Sequence, residues 1–252
     1  MMTDSAVYME QPPQRPRKVY DAIIEHRYDH TEDTRSLFLR IAGGQRLAFR
    51  PGQFLSFLLP VAGQELIRPY SLASDPEENE TLEICFNLVP GGLGSAYLFK
   101  REVGDVLRFT GPWGTFGFEQ PPQTECVFLA DGPAIAPLRP MMKRALAASS
   151  AQPIRLLYSA AREEGLLYRR EFEAWAQEQA RFCFEPLLQE PPVGWGGLRG
   201  SLVEQVEQCY VRADENRSRH FFICGVGAQV TVLRDLLRRA GYERRAVQYE
   251  KW

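Results

Sequence analysis

Arg68-Pro69-Tyr70-Ser71-Leu72-Ala73-Ser74 is the stretch on which the reading of this chain turns. It follows the apolar run Phe54 to Leu59 and sets a fixed cation, a flat aromatic face and two hydroxyls close together. If Phe54–Leu59 and Tyr70–Ala73 are strands, their side chains alternate between faces. Arg68 and Tyr70 then share one face, with Ser71 beside them at the strand's backbone edge. A guanidinium fits a phosphate because its planar fork donates in pairs. A tyrosine ring stacks on a flat heterocycle, and a serine hydroxyl reaches a ring nitrogen. The set suits an aromatic ring system with a phosphate tail. An ordinary strand entering a turn at Pro69 is the competing reading.

Outward from this stretch, the chain from Val19 to Phe118 offers short β-like runs with regular punctuation. Ser36 to Ile41 breaks at Gly43-Gly44, Phe54 to Leu59 at Pro60 and Gly63, and Thr81 to Val89 at Pro90-Gly91-Gly92. Such runs predict a small antiparallel β-barrel. Gln120-Pro121-Pro122-Gln123 reads as a linker. Beyond it the pattern becomes α/β: strands at Val127–Ala130 and Ile154–Tyr158, with a helix near Leu138–Ala148, form a βαβ unit of about 30 residues. Arg181–Glu185 and Phe221–Cys224 read as further strands. Val230, Leu233, Leu236, Leu237 and Ala240 share a helical face that Gly241 ends, and Gln248–Glu250 is a last edge strand. The expected organisation is a disordered, proline-rich tail over 1–17, a barrel domain over 18–119 and a Rossmann-like parallel-sheet domain over 124–252.

Composition narrows the function classes. The 252 residues carry 30 Lys and Arg against 32 Asp and Glu, a net charge of −2. No basic stripe with interleaved aromatics points to nucleic acid. No apolar run approaches the ~20 residues of a membrane span, and the N-terminus lacks an export-signal pattern. Cys85, Cys126, Cys183, Cys209 and Cys224 are scattered singly, without metal-ligand or cluster-binding spacing. His26, His30 and His220 show no ligand spacing either. No metal is expected, and a reducing, cytoplasmic setting is the simplest reading.

Arg-x-Tyr-Ser resembles the flavin-binding motif of the ferredoxin–NADP reductase superfamily. The resemblance continues at Gly91-Gly92-Leu93-Gly94-Ser95, Gly111-Pro112-Trp113-Gly114-Thr115-Phe116, the Gly132–Pro137 turn, Cys224-Gly225 and the terminal Tyr249-Glu250-Lys251-Trp252, in the family's order over residues 18–252. It implies FAD, with Arg68 on a phosphate, Pro69 and Tyr70 framing the isoalloxazine, and Ser71 near its reactive N5. Gly91, Gly92, Gly94 and Ser95 would carry a second phosphate contact, since glycines let backbone N–H groups approach an anion; a simple hairpin turn is the alternative. Trp113 faces either the adenine or the domain interface, and packing explains it equally well. Cys224 and Gly225 would lie beside the flavin–nicotinamide contact, with Cys224 shaping the pocket; a small buried hydrophobe is the plainer role. Trp252 would cover the isoalloxazine, or else be a frayed end.

The nicotinamide half departs from the family's usual Gly-Gly-Thr-Gly-Ile-Ala-Pro. Asp131-Gly132-Pro133-Ala134-Ile135-Ala136-Pro137 stands at the strand-to-helix turn expected to hold a pyrophosphate, with Gly132, Ala134 and Pro137 as binding residues. Pro133 removes an N–H, Ala134 adds a methyl, and Asp131 adds a like charge costing about 3 kcal/mol at ~5 Å and an effective dielectric near 20. After the second strand, Ser159 and Arg162 lean towards NADPH, although Arg162 beside Glu163 and Glu164 also reads as solvated. The resemblance implies an enzyme passing electrons from NAD(P)H through FAD to a separate iron–sulfur or haem protein, such as a ferredoxin or oxygenase component. The irregular turn keeps open a flavin-bearing subunit of a larger complex that does not itself bind NAD(P)H. A flavin-free binding module is the third reading.

Overall fold

The structure is a computed structural model that describes residues 18–251 except 79, 119, 122 and 214. The tail expected at 1–17 and the site role expected of Trp252 lie outside the described residues. Along Phe54–Val61, Leu55, Phe57 and Leu59 are fully buried while their neighbours are less so. That period of two marks a sheet with one face on a core and one towards solvent.

Six strands form this sheet: β1 (Val19–Asp29), β2 (Thr34–Ile41), β3 (Phe54–Val61), β4 (Gln64–Ser71), β5 (Leu82–Asn87) and β6 (Val106–Trp113), antiparallel in the order β4-β3-β6-β1-β2-β5. The outer two are joined by a bridge between Leu72 and Ile84 and by Ala73 N donating to Glu83 O at 2.8 Å. The sheet therefore closes into the expected antiparallel barrel, filled by Leu37, Leu39, Leu55, Phe57, Ile84 and Phe109. Pro60 does not break β3. Pairing with β6 spans only Phe54 to Phe57, so Pro60 lies where the strand has a partner on one side alone. Helix α1 (Leu93–Phe99) packs on β3 from the loop after β5.

The second half is the expected parallel sheet. β7 (Cys126–Asp131), β8 (Ile154–Ala160), β9 (Phe182–Leu188), β10 (Leu198–Arg199), β11 (His220–Gly225) and β12 (Val247–Lys251) stand in the order β10-β9-β8-β7-β11-β12. Cys126, Phe128 and Ala130 of β7 face a core shared with α2 (Ile135–Ala147) and α3 (Arg169–Glu178). Val127 and Leu129 face one shared with α4 (Leu202–Val206) and α5 (Gly227–Arg239). Helices on both faces explain the nearly unbroken apolar runs of β7 and β11. Strand order reverses between β7 and β11, which opens a crevice at their carboxyl ends.

Helix α2 starts at Ile135, three residues before the expected start, after a short turn at Gly132–Ala134. Pro137 is no obstacle there, because first-turn N–H groups have no intrahelical acceptor.

A buried polar cluster joins the two halves. Glu83 on β5, 4% exposed, accepts from Arg139 Nη1 of α2 at 2.8 Å, from Ser36 Oγ at 2.7 Å and from Tyr168 Oη at 2.6 Å. Arg139 also donates from Nε to Glu171 Oε2 at 2.6 Å and from Nη1 to Ala73 O at 3.1 Å, and its guanidinium lies over the Tyr168 ring. Burial works against the Arg139 charge, but Glu171 and Glu83 outweigh it and hold the pKa above the usual value.

Candidate functional site

Strand β4 delivers Arg68, Pro69, Tyr70 and Ser71 in one extended run, paired with Phe57, Ser56, Leu55 and Phe54 of β3. Arg68 and Tyr70 do share a face, and α1 meets them there. A Cβ built on Gly94 would fall 2.9 Å from Arg68 Cγ and 3.4 Å from the Tyr70 hydroxyl. Only glycine permits that approach, so the two motifs, far apart in sequence, form one cradle. Tyr70 is gripped edge-on by Phe57 and Phe86, with ring centroids 5.8 and 5.4 Å away. Burial pushes its phenol up to about 12, against the pull of Arg68, so the hydroxyl stays neutral.

The loop before α1 is self-braced. Ser95 Oγ accepts from Val89 N at 3.0 Å and donates to Gly92 O at 3.3 Å, and Gly92 N donates to Val89 O at 2.8 Å. The N–H groups of Leu93, Gly94 and Ser95 stand in the helix's first turn, where no intrahelical acceptor exists. Gly91 lies in the turn itself.

Ser71 faces the parallel sheet. Its Oγ donates to Glu250 Oε2 of β12 at 3.4 Å. In register, Glu250 stands opposite Cys224 of β11, which is also paired with Ala130 of β7. Burial raises the Glu250 carboxyl to about 7, with Ser71 opposing. Burial, reinforced by Glu250, also holds the Cys224 thiol well above its ordinary range, so Cys224 is a neutral wall and not a nucleophile. Glu250 went unassigned in the sequence reading; only its place two residues from the end, within the terminal motif, could have signalled it.

At the carboxyl ends of β7, β8 and β11 lies a cleft of about 900 Å³, lined by Asp131, Gly132, Ala134, Arg162, Glu190 and Gly225 among others. Gly132 has φ +51 and a Cβ there would meet nothing, so its backbone conformation and not crowding calls for glycine. The floor is held by Tyr158, a residue the sequence reading passed over. Its hydroxyl lies 2.9 Å from Gly132 O and accepts from Leu167 N at 3.0 Å. Pro137 is buried within α2 and Ser159 is fully buried, whereas Arg162 is exposed. Asp131 is partly buried, and burial raises its carboxyl above the usual range while Ser159 opposes. Among the described residues no group of three or more His, Cys, Asp or Glu is placed to hold a metal, and no helix is long and apolar enough to cross a membrane.

A barrel bearing a cation-and-tyrosine cradle, facing a parallel sheet with a cleft at its switch point, defines a flavin- and nicotinamide-using oxidoreductase. Residues 21–118 match the oxidoreductase FAD-binding domain and residues 128–234 the oxidoreductase NAD-binding domain. Ferredoxin–NADP reductase B of Sorangium cellulosum is 34% identical over 222 residues, covering 86% of this chain and 91% of that protein. The glycine betaine monooxygenase reductase subunit of Pseudomonas aeruginosa is 27% identical over 198 residues, and the chain spans 54% of its length. The cytochrome P450 reductase GcoB of Amycolatopsis superposes with a TM-score of 0.83 at 27% identity, over 94% of this chain and 71% of that one. The chain belongs to the ferredoxin–NADP reductase superfamily and is an FAD-dependent NAD(P)H oxidoreductase. The reading as a subunit without NAD(P)H falls with the NAD-binding match.

Proposed function

We propose that this chain takes electrons from NAD(P)H and delivers them through FAD to a separate redox protein, a ferredoxin or an oxygenase component. The observation that carries this is the convergence of three motifs. The Arg68–Tyr70–Gly94 cradle adjoins Ser71, and Ser71 touches the β11–β12 pair that borders the dinucleotide cleft. The close approach at Gly94 fits a phosphate-bearing ring system, because among the described residues Arg68 donates from Nη1 to Ile67 O at 2.8 Å, which leaves Nη2 and Nε for a ligand. Relatives named as a ferredoxin–NADP reductase and as a monooxygenase reductase subunit support the acceptor class.

Each residue has a role in this reading. Arg68 and the α1 loop around Gly91, Gly92, Gly94 and Ser95 hold phosphate, while Pro69 and Tyr70 position the flavin ring. Cys224 and Gly225 keep the nicotinamide face narrow and dry, and Gly132, Ala134 and the first turn of α2 at Pro137 receive the dinucleotide. Glu250 can hold or release a proton at Oε2 near neutrality, and Ser71 Oγ is the hydroxyl that passes it on. FAD, when bound, supplies the chemistry that converts a two-electron hydride donor into single-electron delivery. The test is anaerobic: the purified yellow protein is titrated with NADH and NADPH, then mixed with a [2Fe–2S] ferredoxin. Bleaching by a dinucleotide followed by reduction of the ferredoxin supports the reading; a bleached protein that reduces only small-molecule dyes refutes the acceptor assignment.

A further inference from the structure

The two residues that favour NADPH in the sequence are both committed to other partners. Ser159 is fully buried, and its hydroxyl accepts from Gln189 Nε2 at 3.4 Å and bonds the Asp131 carboxylate. Fully buried beneath Asp131 and Gln189, it offers no surface to an adenosine ribose, which would sit beyond the second strand of the unit. Arg162 donates from Nε to Glu190 Oε2 at 3.3 Å. Both partners of that pair are about two-thirds exposed, at 68% and 66%, so neither is held there by burial.

The remainder of the wall has the wrong sign for a phosphate. Among the described residues lining the cleft, Arg162 is the one cation, while Glu32, Asp33, Asp131, Glu164 and Glu190 are acids. A 2′-phosphate would bring an added dianion to the ends of β8 and β9, opposite this field and without a guanidinium of its own. A ribose 2′-hydroxyl has the opposite need, since an acidic side chain near this point accepts from it.

We propose that this cleft selects NADH over NADPH, and that Glu190 sets the choice by pairing with Arg162 through Nε, which offsets its charge, and by offering carboxylate oxygen to the 2′-hydroxyl. Glu190 is therefore a specificity-determining residue contributed by the bend just after β9, a segment that the sequence reading did not connect with the ribose. The inference rests on the NAD(P)H-oxidoreductase reading above and deepens it.

The test measures Kd for NAD+ and NADP+ on the FAD-loaded protein by calorimetry, alongside anaerobic flavin reduction by NADH and NADPH. Wild type is expected to favour the NAD+/NADH pair by about tenfold or more, and Glu190→Gln to shrink that ratio by about tenfold, the scale of an exposed charge pair plus its local field. Adding Arg162→Ala to Glu190→Gln should abolish the gain for NADP+. Equal or tighter NADP+ binding by wild type overturns the proposal, as does an unchanged ratio in Glu190→Gln. A gain that survives in the double variant overturns the role given to Arg162. Failure to bind either dinucleotide overturns the functional reading itself, and this inference with it.

Discussion

Among the polar contacts that link the barrel to the parallel sheet, two joints are built oppositely. At the first, Ser71 reaches Glu250 across a single long hydrogen bond of 3.4 Å. At the second, Glu83 gathers Arg139, Ser36 and Tyr168 within 2.6–2.8 Å, and Arg139 is held again by Glu171. In the function proposed above, the first borders the flavin–nicotinamide contact, and few of its groups are committed. The second stands away from that site and leaves little unsatisfied, which is what a fixed joint in low dielectric requires. One face of the interface is kept open because the other is fastened.

The contrast breaks most visibly at Arg139. Arg139→Leu strands a carboxylate that is 4% exposed, and removing one partner of such a pair costs about 3–5 kcal/mol. Urea unfolding should show this loss, and adding Glu83→Gln should recover part of it, because the stranded charge is then gone. Ser71→Ala, by comparison, should cost no more than about 1 kcal/mol. Equal costs at the two joints would end the distinction between a fastened face and an open one.

Arg68 sharpens the same comparison from the ligand side. Its fork serves little inside the protein, so Arg68→Ala should change folding stability by less than about 0.5 kcal/mol. The same change should weaken FAD binding about 10- to 100-fold, as a lost charge-assisted contact does. Flavin fluorescence titration of the apoprotein reads the second quantity, and thermal unfolding without added FAD the first. Undiminished affinity would remove Arg68 from the cradle.

These two regions also differ in how much of them the sequence made legible. The cradle was readable because its chemistry is local: Arg68, Tyr70 and Ser71 lie within one strand, and the glycines of 91–94 within one loop. The joint at Glu83 was not, because its members at 36, 83, 139, 168 and 171 meet only after both halves fold, and each alone reads as a solvated polar residue. The fold shows the same divide. Short apolar runs ended by turn residues exposed β2 and β3, and continuous apolar runs exposed β7 and β11. Strand β1 escaped notice because a bulge between Ile24 and His26 shifts its register and spoils the alternation. Strand β6 escaped because Gly111-Pro112, inside it, is turn chemistry elsewhere. Ser159 and Arg162 were identified by position, but their partners are Asp131 on β7 and Gln189 and Glu190 in the bend after β9, so the lean towards NADPH could not be checked against them.

The smallest effect belongs to the open joint. Burial lifts the Glu250 carboxyl from its ordinary 4.5 to about 7, so the folded protein binds a proton that the unfolded chain releases between those values. Stability from this group is therefore fully present below about pH 4.5 and is lost as pH rises through about 7. With Glu250 only partly shielded, the loss should be about 1–2 kcal/mol. Glu250→Gln keeps an acceptor for Ser71 but cannot titrate, so wild type should lose that amount relative to the variant between pH 5 and pH 8 in parallel urea titrations. Arg139→Leu should leave this pH-dependent difference in place, because the fastened joint does not touch Glu250. A difference that stays constant across that range would mean the carboxyl is already ionised in the folded protein, and Ser71 would then be bonded to a fixed anion with no proton to pass.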